Sequence, residues 1–410
     1  MRILCVTAQK PDSTGSGVYL AETARCMAQA GHDVGVVCGV GADDEISTLP
    51  DGAWVRPVRF QTPRLPFPVC GMSDAMPYPS TRYRDLTPSM LDAFEGAFRQ
   101  ALADAASEFR PDAVVCHHLY LVAALARETM PDIPMAALSH STDLRQMGQH
   151  GLERGRIVSA MRRMDVVLAL HEAQARQIEE TYGVDPARVR VVGTGFNASV
   201  FRDDEEAEGR RRARAEAGAP AELVYAGKIW RKKGVVSLLR ALGEVEAPRG
   251  LRLTLAGGNG GEEGEFRAVQ ELARACRWPV EMPGRLAQPR LARAYRAADV
   301  FVLPSFFEGL PLVAVEALAC GCKVVMTDLP GIRPWVEGNV PGADVTWVEP
   351  PRMECVDEPL AADLPAFEHR LAQALSAALA TPARPCDVSA LSWERVTGRI
   401  VEAVAGSRRG

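Results

Sequence analysis

The amino-acid sequence predicts an α/β protein with two Rossmann-like, doubly wound parallel-sheet domains. Short apolar runs bounded by turn residues alternate with amphipathic helical stretches, and this alternation is typical of βαβ units whose sheet is covered on both faces. The chain has 410 residues, 47% of them hydrophobic. A chain of this length exceeds what one core usually holds, so two domains of about 200 residues are expected.

A charged segment separates two groups of predicted strands. The first group is 3–7, 33–38, 113–116, 135–138, 166–170 and 189–192, and the second is 223–226, 251–256, 300–303, 323–327 and 345–348. Residues 203–220 between them are charged, rich in alanine and glycine and poor in large apolar side chains, as in a linker or an exposed connecting helix. We therefore predict domains at 1–202 and 221–389 with a linker at 203–220.

Composition narrows the possible functions. With 47 basic and 52 acidic residues the net charge is −5, which gives no general reason to expect nucleic-acid binding. Local basic patches leave weak peripheral membrane contact open. The ten cysteines show no spacing typical of a metal site or a secreted disulfide scaffold. We expect a cytoplasmic protein, free or at the inner face of the membrane, without a signal peptide or a membrane-spanning segment.

The segment 305–321 has two carboxylates in an otherwise apolar context. An apolar strand is followed by a turn that contains Glu308, and a helix is predicted between Pro311 and Gly321. Glu316 is the only charge in that helix, and a carboxylate among apolar residues is costly unless it is hydrogen-bonded. The helix rise separates the two carboxylates by about 12 Å, roughly the span of a nucleoside plus one sugar.

Three backbone amides at the start of this helix are candidate donors to ligand oxygens, those of Gly309, Leu310 and Leu312. A carboxylate only accepts hydrogen bonds, so it suits the vicinal hydroxyls of a ribose or a hexose. The structural alternative is that Glu308 caps the helix and Glu316 pairs with an arginine or lysine in the core.

This segment resembles the paired-glutamate motif of the family 4 retaining glycosyltransferases, which have the GT-B fold. The resemblance implies two domains that face a cleft, with Glu308 beside the donor sugar as a catalytic residue and Glu316 on the nucleotide ribose. It also implies that a helix within 390–410 crosses back onto the first domain. Transfer is then expected to retain the anomeric configuration and to need neither a metal nor another cofactor.

A basic turn after the first strand of the second domain is the next candidate element. The sequence Gly227-Lys228-Ile229-Trp230-Arg231-Lys232-Lys233-Gly234 resembles the phosphate clamp of the same family, in which Lys228 and Lys233 would hold the diphosphate. Lysine stands at 228 where arginine is usual, which keeps the charge but loses the bidentate fork. Without the glutamates, a solvated basic turn would be the simpler interpretation.

Two further segments of the second domain resemble parts of the nucleotide site. The glycine loop that contains Gly257 follows a predicted strand and would lie beside the nucleotide, although flexible surface loops have the same composition. Arg285 and Leu286 belong to a segment whose backbone would receive the base. Backbone recognition does not reveal which base is bound, and a UDP-sugar is the expected donor.

The first domain offers a glycine loop and several histidines at predicted strand ends. Gly15 and Gly17 open a helix whose amides are candidate ligands for a phosphate or a sugar. His140 resembles the family's histidine beside the donor sugar and is a candidate catalytic residue, although Ser141 stands in place of the usual glycine. His117, His118 and His171 also follow strands but are more often structural in such positions.

The acceptor is open from sequence: a glycan, a lipid or a small molecule. The proline-rich and aromatic segment 57–89 is a candidate acceptor-facing loop, and a cover for the sheet edge is an equal alternative. Other functions also remain possible, namely a sugar-nucleotide 2-epimerase on the same fold, a nicotinamide-dependent dehydrogenase and a non-catalytic sugar-nucleotide sensor. A zinc site is disfavoured because no HxxxH-type spacing occurs.

Overall fold

The protein forms two compact units, each with its own sheet. The computed structural model describes residues 1–407 apart from Asp12, Ala75, Asp204, Val356 and Pro385. One unit comprises Met1–Gly195 with Trp393–Gly410, and the other Phe196–Ser392. The segment 390–410, predicted to contain a crossing helix, forms α14 (Trp393–Gly406) in the first unit, and its last three residues lie outside the described part.

The first unit is a seven-stranded sheet with helices packed around it. In chain order the strands of this sheet are β1 (Arg2–Val6), β2 (Asp33–Val40), β3 (Trp54–Arg59), β6 (Ala113–His117), β7 (Met135–Leu138), β8 (Val166–Ala169) and β9 (Val189–Val191). The short strands β4 (Cys70–Gly71) and β5 (Thr81–Arg82) form a separate pair. Its other helices are α1 (Gly15–Gln29), α2 (Pro88–Asp104), α3 (Leu121–Thr129), α4 (Thr142–Gln149), α5 (Arg154–Met161) and α6 (Glu172–Tyr182).

The strand order of this sheet is β3-β2-β1-β6-β7-β8-β9, and every pairing is parallel. Its interior strands are buried on both faces, which explains why they read as continuous apolar runs rather than alternating ones. The order reverses between β1 and β6, and ligands in such sheets bind outside the carboxyl ends of the strands at that reversal.

The segment 57–89 packs largely into the first unit. Phe67 and Tyr83 are buried in the same apolar cluster as Phe60 and Phe94 of this unit. Its arginines are engaged within the unit: Arg84 pairs with Asp74, Arg82 with Asp85, and Arg64 donates to the Gly96 carbonyl. These aromatic side chains therefore contribute to the core of the first unit.

The second unit contains a six-stranded sheet. Its strands are β10 (Ala221–Ala226), β11 (Leu251–Ala256), β12 (Val280–Gly284), β13 (Val300–Leu303), β14 (Lys323–Thr327) and β15 (Val345–Val348), followed by the small pair β16 (Met353–Cys355) and β17 (Glu358–Pro359). Its helices are α7 (Glu205–Glu216), α8 (Val235–Ala241), α9 (Glu263–Ala275), α10 (Gln288–Ala297), α11 (Leu312–Ala319), α12 (Ile332–Asn339) and α13 (Leu364–Leu379).

The strand order of the second sheet is β12-β11-β10-β13-β14-β15, again with parallel pairings. This is the order of a dinucleotide-binding sheet, with its reversal between β10 and β13. Both units are thus doubly wound parallel-sheet domains, which confirms the predicted fold class.

Most of the segment expected to be a linker, 203–220, is the helix α7. Arg211 of α7 pairs with Asp203 at 3.0 Å and donates to the Arg296 carbonyl at 2.9 Å, and Arg214 pairs with Asp299 at 3.2 Å. These contacts attach the helix to the second unit. In the part of the chain that the structure describes, no helix is long and apolar enough to cross a membrane.

Candidate active site

The reversal point of the second sheet brings two of the predicted motifs together. The basic turn 227–234 follows β10, and the turn that carries Glu308 follows β13, so the two turns leave adjacent parallel strands at the same edge. Residues separated by some 75 positions in sequence therefore meet at the place where doubly wound sheets bind ligands.

Lys233 and Glu308 form an ion pair across this point. The Lys233 ammonium donates to Glu308 Oε1 at 2.7 Å and to the Phe307 carbonyl at 3.1 Å. The two side chains are 24% and 16% exposed, so solvent reaches the pair while most of it is enclosed. The predicted phosphate ligand and the predicted catalytic carboxylate are thus direct neighbours.

Two glycines explain how the strand-end turns approach so closely. Gly234 has a φ of 68°, and a side chain there would place its Cβ 2.0 Å from the Pro304 carbonyl oxygen. A Cβ on Gly257 would lie 1.7 Å from the carbonyl oxygen of Gly227. Only glycine avoids these clashes, so Gly257 has a packing role whether or not its loop also touches a nucleotide.

The remaining residues of the basic turn are fixed from several sides. The buried phenol of Tyr225 donates to the Lys228 carbonyl at 2.7 Å, and Trp230 Nε1 donates to Glu265 at 3.1 Å. Lys232 pairs with Asp357 at 2.9 Å. The backbone that presents Lys228 and Lys233 is therefore held in place before any ligand arrives.

Arg285 and Leu286 follow β12, one strand beyond β11. The aliphatic stem of Arg285 lies beside Gly258, where a Cβ would be 3.4 Å from Arg285 Cγ. This places the segment next to the glycine loop 257–261, at the same carboxyl edge of the sheet as the basic turn.

The helix α11 begins at Leu312 with Pro311 as its N-cap residue. Among the residues that the structure describes, no acceptor is found for the amides of Gly309, Leu310 and Leu312, as is usual where a helix starts. Glu316 lies on this helix with 7% of its surface exposed. A buried carboxylate beside three unused donors is consistent with a polar ligand site.

Two buried hydroxyls of the second unit were missed by sequence reasoning. Ser305 Oγ and the Tyr295 phenol have no hydrogen-bond partner within the described residues. Burial, reinforced by the nearby charge of Glu316, raises the pKa of Tyr295 well above its usual value. The hydroxyl of a buried tyrosine normally makes a hydrogen bond. A tyrosine on an otherwise apolar helix face was therefore the sequence signal that could have identified Tyr295.

In the first unit, the glycine loop forms the start of α1. Thr14 is the N-cap residue, and its hydroxyl accepts from the Gly17 amide at 3.1 Å. A Cβ on Gly15 would meet no atom within 4 Å, so open space adjoins Gly15. The Gly17 amide is already used by the cap, which leaves the Gly15 end of the helix as the accessible part.

His140 lies in a cluster with His117 and His118. His140 Nε2 is 3.1 Å from His117 Nδ1, and the two rings stack with centroids 5.3 Å apart. His118 and Tyr19 of α1 also contact the His140 ring. The Nε2 atoms of His117 and His118 are buried and have no partner among the described residues. Sequence reasoning had set these two histidines aside, and only the fold shows that they adjoin His140.

Burial makes these histidines neutral at physiological pH. It lowers the pKa of His117 and of His118 to about 3 and that of His140 well below the usual value. A neutral imidazole donates from one nitrogen and accepts at the other. The cluster is therefore suited to hydrogen-bonding a sugar hydroxyl rather than to supplying a positive charge.

The loop after β7 keeps a left-handed conformation although it lacks a glycine. Ser141 has a φ of 68°, and its hydroxyl accepts from Gln174 at 2.6 Å. Asp143 accepts from Ser139 Oγ at 2.9 Å and from the Leu119 amide at 2.8 Å. These bonds hold the loop in the geometry that a glycine at 141 would adopt freely.

His171 has a structural role, as expected for a lone histidine after a strand. Its Nδ1 accepts from the Gln174 amide at 3.2 Å and so caps α6. Within the described part of the chain, no group of three or more histidine, cysteine, aspartate or glutamate side chains is arranged to hold a metal ion.

Comparisons with known proteins bear on the family of this chain. Residues 14–195 match the family described as "Glycosyl transferase 4-like domain", and residues 220–355 match "Glycosyl transferases group 1". A D-inositol 3-phosphate glycosyltransferase from Segniliparus rotundus is 29% identical over 97% of this chain and 86% of its own length.

Solved structures show the same fold. Sucrose-phosphate synthase from Thermosynechococcus elongatus has a TM-score of 0.67 at 17% identity, covering 99% of this chain and 98% of its own. Anabaena HepE, solved in complex with UDP and glucose, has a TM-score of 0.66 at 16% identity, covering 99% and 100%. Because the two matched families together span most of the sequence, this chain belongs to the family 4 glycosyltransferases and has the GT-B fold.

Proposed function

We propose that the protein transfers a hexose from a UDP-sugar to a hydroxyl of a polar acceptor, with retention of anomeric configuration and without a metal ion. The observation that carries the proposal is the ion pair between Lys233 and Glu308 at 2.7 Å. It joins the two turns that leave the central strands of the second sheet, where a nucleotide is expected to bind.

The second unit supplies the groups that a nucleotide diphosphate-sugar requires. Lys228 and Lys233 stand on the basic turn and offer positive charge for the diphosphate. Glu316 is a nearly buried acceptor for the ribose hydroxyls. The amides of Gly309, Leu310 and Leu312 offer donors at a helix start. UDP is favoured because Anabaena HepE, a structural neighbour, was solved with UDP and with UDP-glucose.

The transfer step needs charge stabilisation at the leaving group. The bond between the sugar C1 and the β-phosphate oxygen breaks, and a bond from C1 to the acceptor oxygen forms on the same face. The acceptor proton passes to the departing phosphate oxygen. Lys228 and Lys233 stabilise the negative charge that develops there, while Glu308 positions Lys233 and borders the sugar.

His140 is proposed to hydrogen-bond a hydroxyl of the donor sugar. Its lowered pKa keeps it neutral, so it would offer that hydroxyl a hydrogen bond rather than a positive charge. Gly15 borders open space at the start of α1, which leaves room for a ligand at the carboxyl edge of the first sheet. The acceptor is therefore proposed to bind to the first unit.

D-inositol 3-phosphate is the first acceptor to test. The relatives that match this chain over most of its length are named D-inositol 3-phosphate glycosyltransferases. A polyol of this kind presents several hydroxyls, which the neutral histidines and the polar side chains at the start of α1 are suited to bind. Other polyols and glycans are the alternatives within the same proposal.

The deciding experiment has two stages. Thermal unfolding is first measured with UDP, GDP, ADP, dTDP and NAD. A ligand that binds the folded state raises the midpoint more the tighter it binds, so UDP is expected to raise it most. UDP-sugars are then incubated with and without D-inositol 3-phosphate, and the anomeric configuration of any product is read by NMR.

The outcomes separate the proposal from its rivals. An α-configured product from an α-configured donor supports retaining transfer. Conversion of the donor without an acceptor would identify an epimerase, and saturable UDP binding without turnover on any acceptor would identify a sensor. A preference for NAD over UDP would contradict the donor assignment.

A further inference from the structure

A basic groove lies on the second unit, away from the proposed donor site. It has a volume of about 660 Å³ and is lined by small alanine side chains and by five arginines, Arg210, Arg211, Arg214, Arg293 and Arg296. No acidic side chain is among its lining residues within the described part of the chain. We define this feature as the α7–α10 groove, since its arginines belong to those two helices.

The groove is at the opposite edge of the sheet from the basic turn. Helix α7 ends before β10 begins at Ala221, and α10 ends just before Asp299, which precedes β13. The arginine helices thus converge at the amino ends of these strands. Since β10 has six residues, about 20 Å of strand separates the groove from the carboxyl edge.

Three of the arginines are fixed by the fold. Arg296 donates to the carbonyls of Val200 and Arg202 at 3.3 and 3.2 Å. Arg211 donates to the carbonyls of Arg296 and Cys320 and pairs with Asp203. Arg214 donates to the Ala297 carbonyl at 2.7 Å and pairs with Asp299. Each guanidinium carries five N–H donors, so these contacts leave donors unused. The Nε of Arg214 is buried without an acceptor among the described residues.

The positive charge of the groove is only partly compensated. Asp203, Asp299 and the exposed Glu206 each pair with one of the five arginines, which leaves an excess of positive charge. Arg293 is exposed and makes no ion pair or hydrogen bond with the described residues. Guanidinium groups bind phosphate oxygens through two parallel hydrogen bonds, so the groove fits a phosphate-bearing anion.

We propose that the α7–α10 groove binds a small soluble anion carrying a diphosphate group, at a site distinct from the donor site. Its volume lies within the range of about 300–1,000 Å³ typical of small-molecule sites and exceeds the needs of a single phosphate. A membrane surface fits less well: Met1, in the first unit, is the only exposed large apolar side chain among the described residues. The groove therefore has no apolar anchor beside it.

Binding of inorganic diphosphate to the full chain, measured by titration calorimetry, tests the proposal. The Lys233→Met variant removes a donor-site cation, and the R210E/R293E double variant reverses two exposed charges of the groove. An R333E variant on α12 matches the charge reversal at an unrelated exposed position. We expect saturable binding by the wild type, Lys233→Met and R333E proteins, and affinity at least about tenfold lower when R210E/R293E is combined with Lys233→Met, which weakens binding at the donor site.

Two results would overturn the proposal. One is equal diphosphate affinity in the Lys233→Met protein and in the same protein with R210E/R293E added. The other is no saturable binding by the Lys233→Met protein. Circular dichroism first confirms that the double variant is folded, and Arg293→Ala replaces it if it is not. The last measurement is sedimentation with phosphatidylglycerol vesicles. If the protein binds these vesicles through Arg210 and Arg293 but does not bind diphosphate, the groove is a membrane contact instead.

Discussion

Replacing Lys233 by methionine should weaken UDP binding by about tenfold to a hundredfold. Methionine keeps most of the side-chain volume and removes the charge. A charge-assisted hydrogen bond contributes about 1.5–3 kcal/mol, and 1.4 kcal/mol corresponds to a tenfold change in affinity. Because Lys233 already donates to Glu308 at 2.7 Å, binding exchanges part of that interaction for the phosphate, so the lower end of the range is expected.

The neighbouring Lys232 provides a matched control. Its ammonium pairs with Asp357 at 2.9 Å and with Glu358 at 3.4 Å rather than with Glu308. Lys232→Met should therefore change UDP affinity by less than about threefold. This corresponds to less free energy than one charged hydrogen bond contributes. Lys233→Arg should fall between the wild type and Lys233→Met, since it keeps the charge with a different geometry.

Titration calorimetry with UDP and a transfer assay with the UDP-sugar measure these effects, and thermal unfolding establishes that each variant is folded. A folded Lys233→Met protein with wild-type UDP affinity would refute the assignment of the basic turn to the diphosphate. Equal losses in Lys232→Met and Lys233→Met would indicate a general electrostatic effect of the turn instead of a specific contact.

Three further predictions concern other parts of the structure. Glu316→Gln should lower donor affinity or turnover about tenfold, whereas Glu337→Gln, on the exposed surface of α12, should change neither; unchanged donor kinetics in both would remove Glu316 from the site. His117 and His118 have pKa values of about 3 in the folded state, below the usual unfolded value of about 6.5. Between pH 3 and 6.5 the unfolded state therefore binds more protons than the folded state. The contribution of these neutral histidines to the free energy of unfolding should be fully present above pH 6.5 and should be lost as the pH falls. Lowering the pH from 7 to 5.5 should reduce the free energy of unfolding by about 1 kcal/mol for each histidine. Urea unfolding of the wild type and of His118→Asn at the two pH values measures this reduction. An equal pH dependence in the two proteins would contradict it. The Ser141→Gly variant should be more stable than Ser141→Ala by about 1 kcal/mol. Both variants lose the hydroxyl, but only alanine is strained at a φ of 68°. The reverse order of stability in denaturant unfolding would argue against that backbone conformation.

The sequence was sufficient to predict the two parallel sheets. Interior strands such as β6 and β14 are buried on both faces, so they are encoded as continuous apolar runs that local reasoning can recognise. The edge strands β3 and β12 were missed. Each contains a proline, Pro57 or Pro283, and a half-exposed, less apolar pattern. Proline is tolerated at a sheet edge because the missing donor faces solvent, so the usual strand signal is weak there.

Local sequence also encoded the chemical character of the site. Glycines, a carboxylate in an apolar helix and lysines in a turn are visible without a fold, and together with the family resemblance they led to Lys233, Glu308 and Glu316 as candidate site residues. The charged, alanine-rich segment 203–220 was expected to be a linker or an exposed connecting helix, and most of it is the helix α7. Its helix packs on the second unit through arginine contacts rather than through an apolar face.

Only the tertiary structure decided which of these groups touch. Lys233 meets Glu308, and His140 meets His117, because parallel strands that are distant in sequence lie side by side and release their turns at one edge. The neutral state of the histidines likewise depends on burial by neighbouring elements. Sequence thus determined the residue types and the strands that carry them. Strand order arises from long-range pairing, and it determined which of these residues touch and which histidines are neutral.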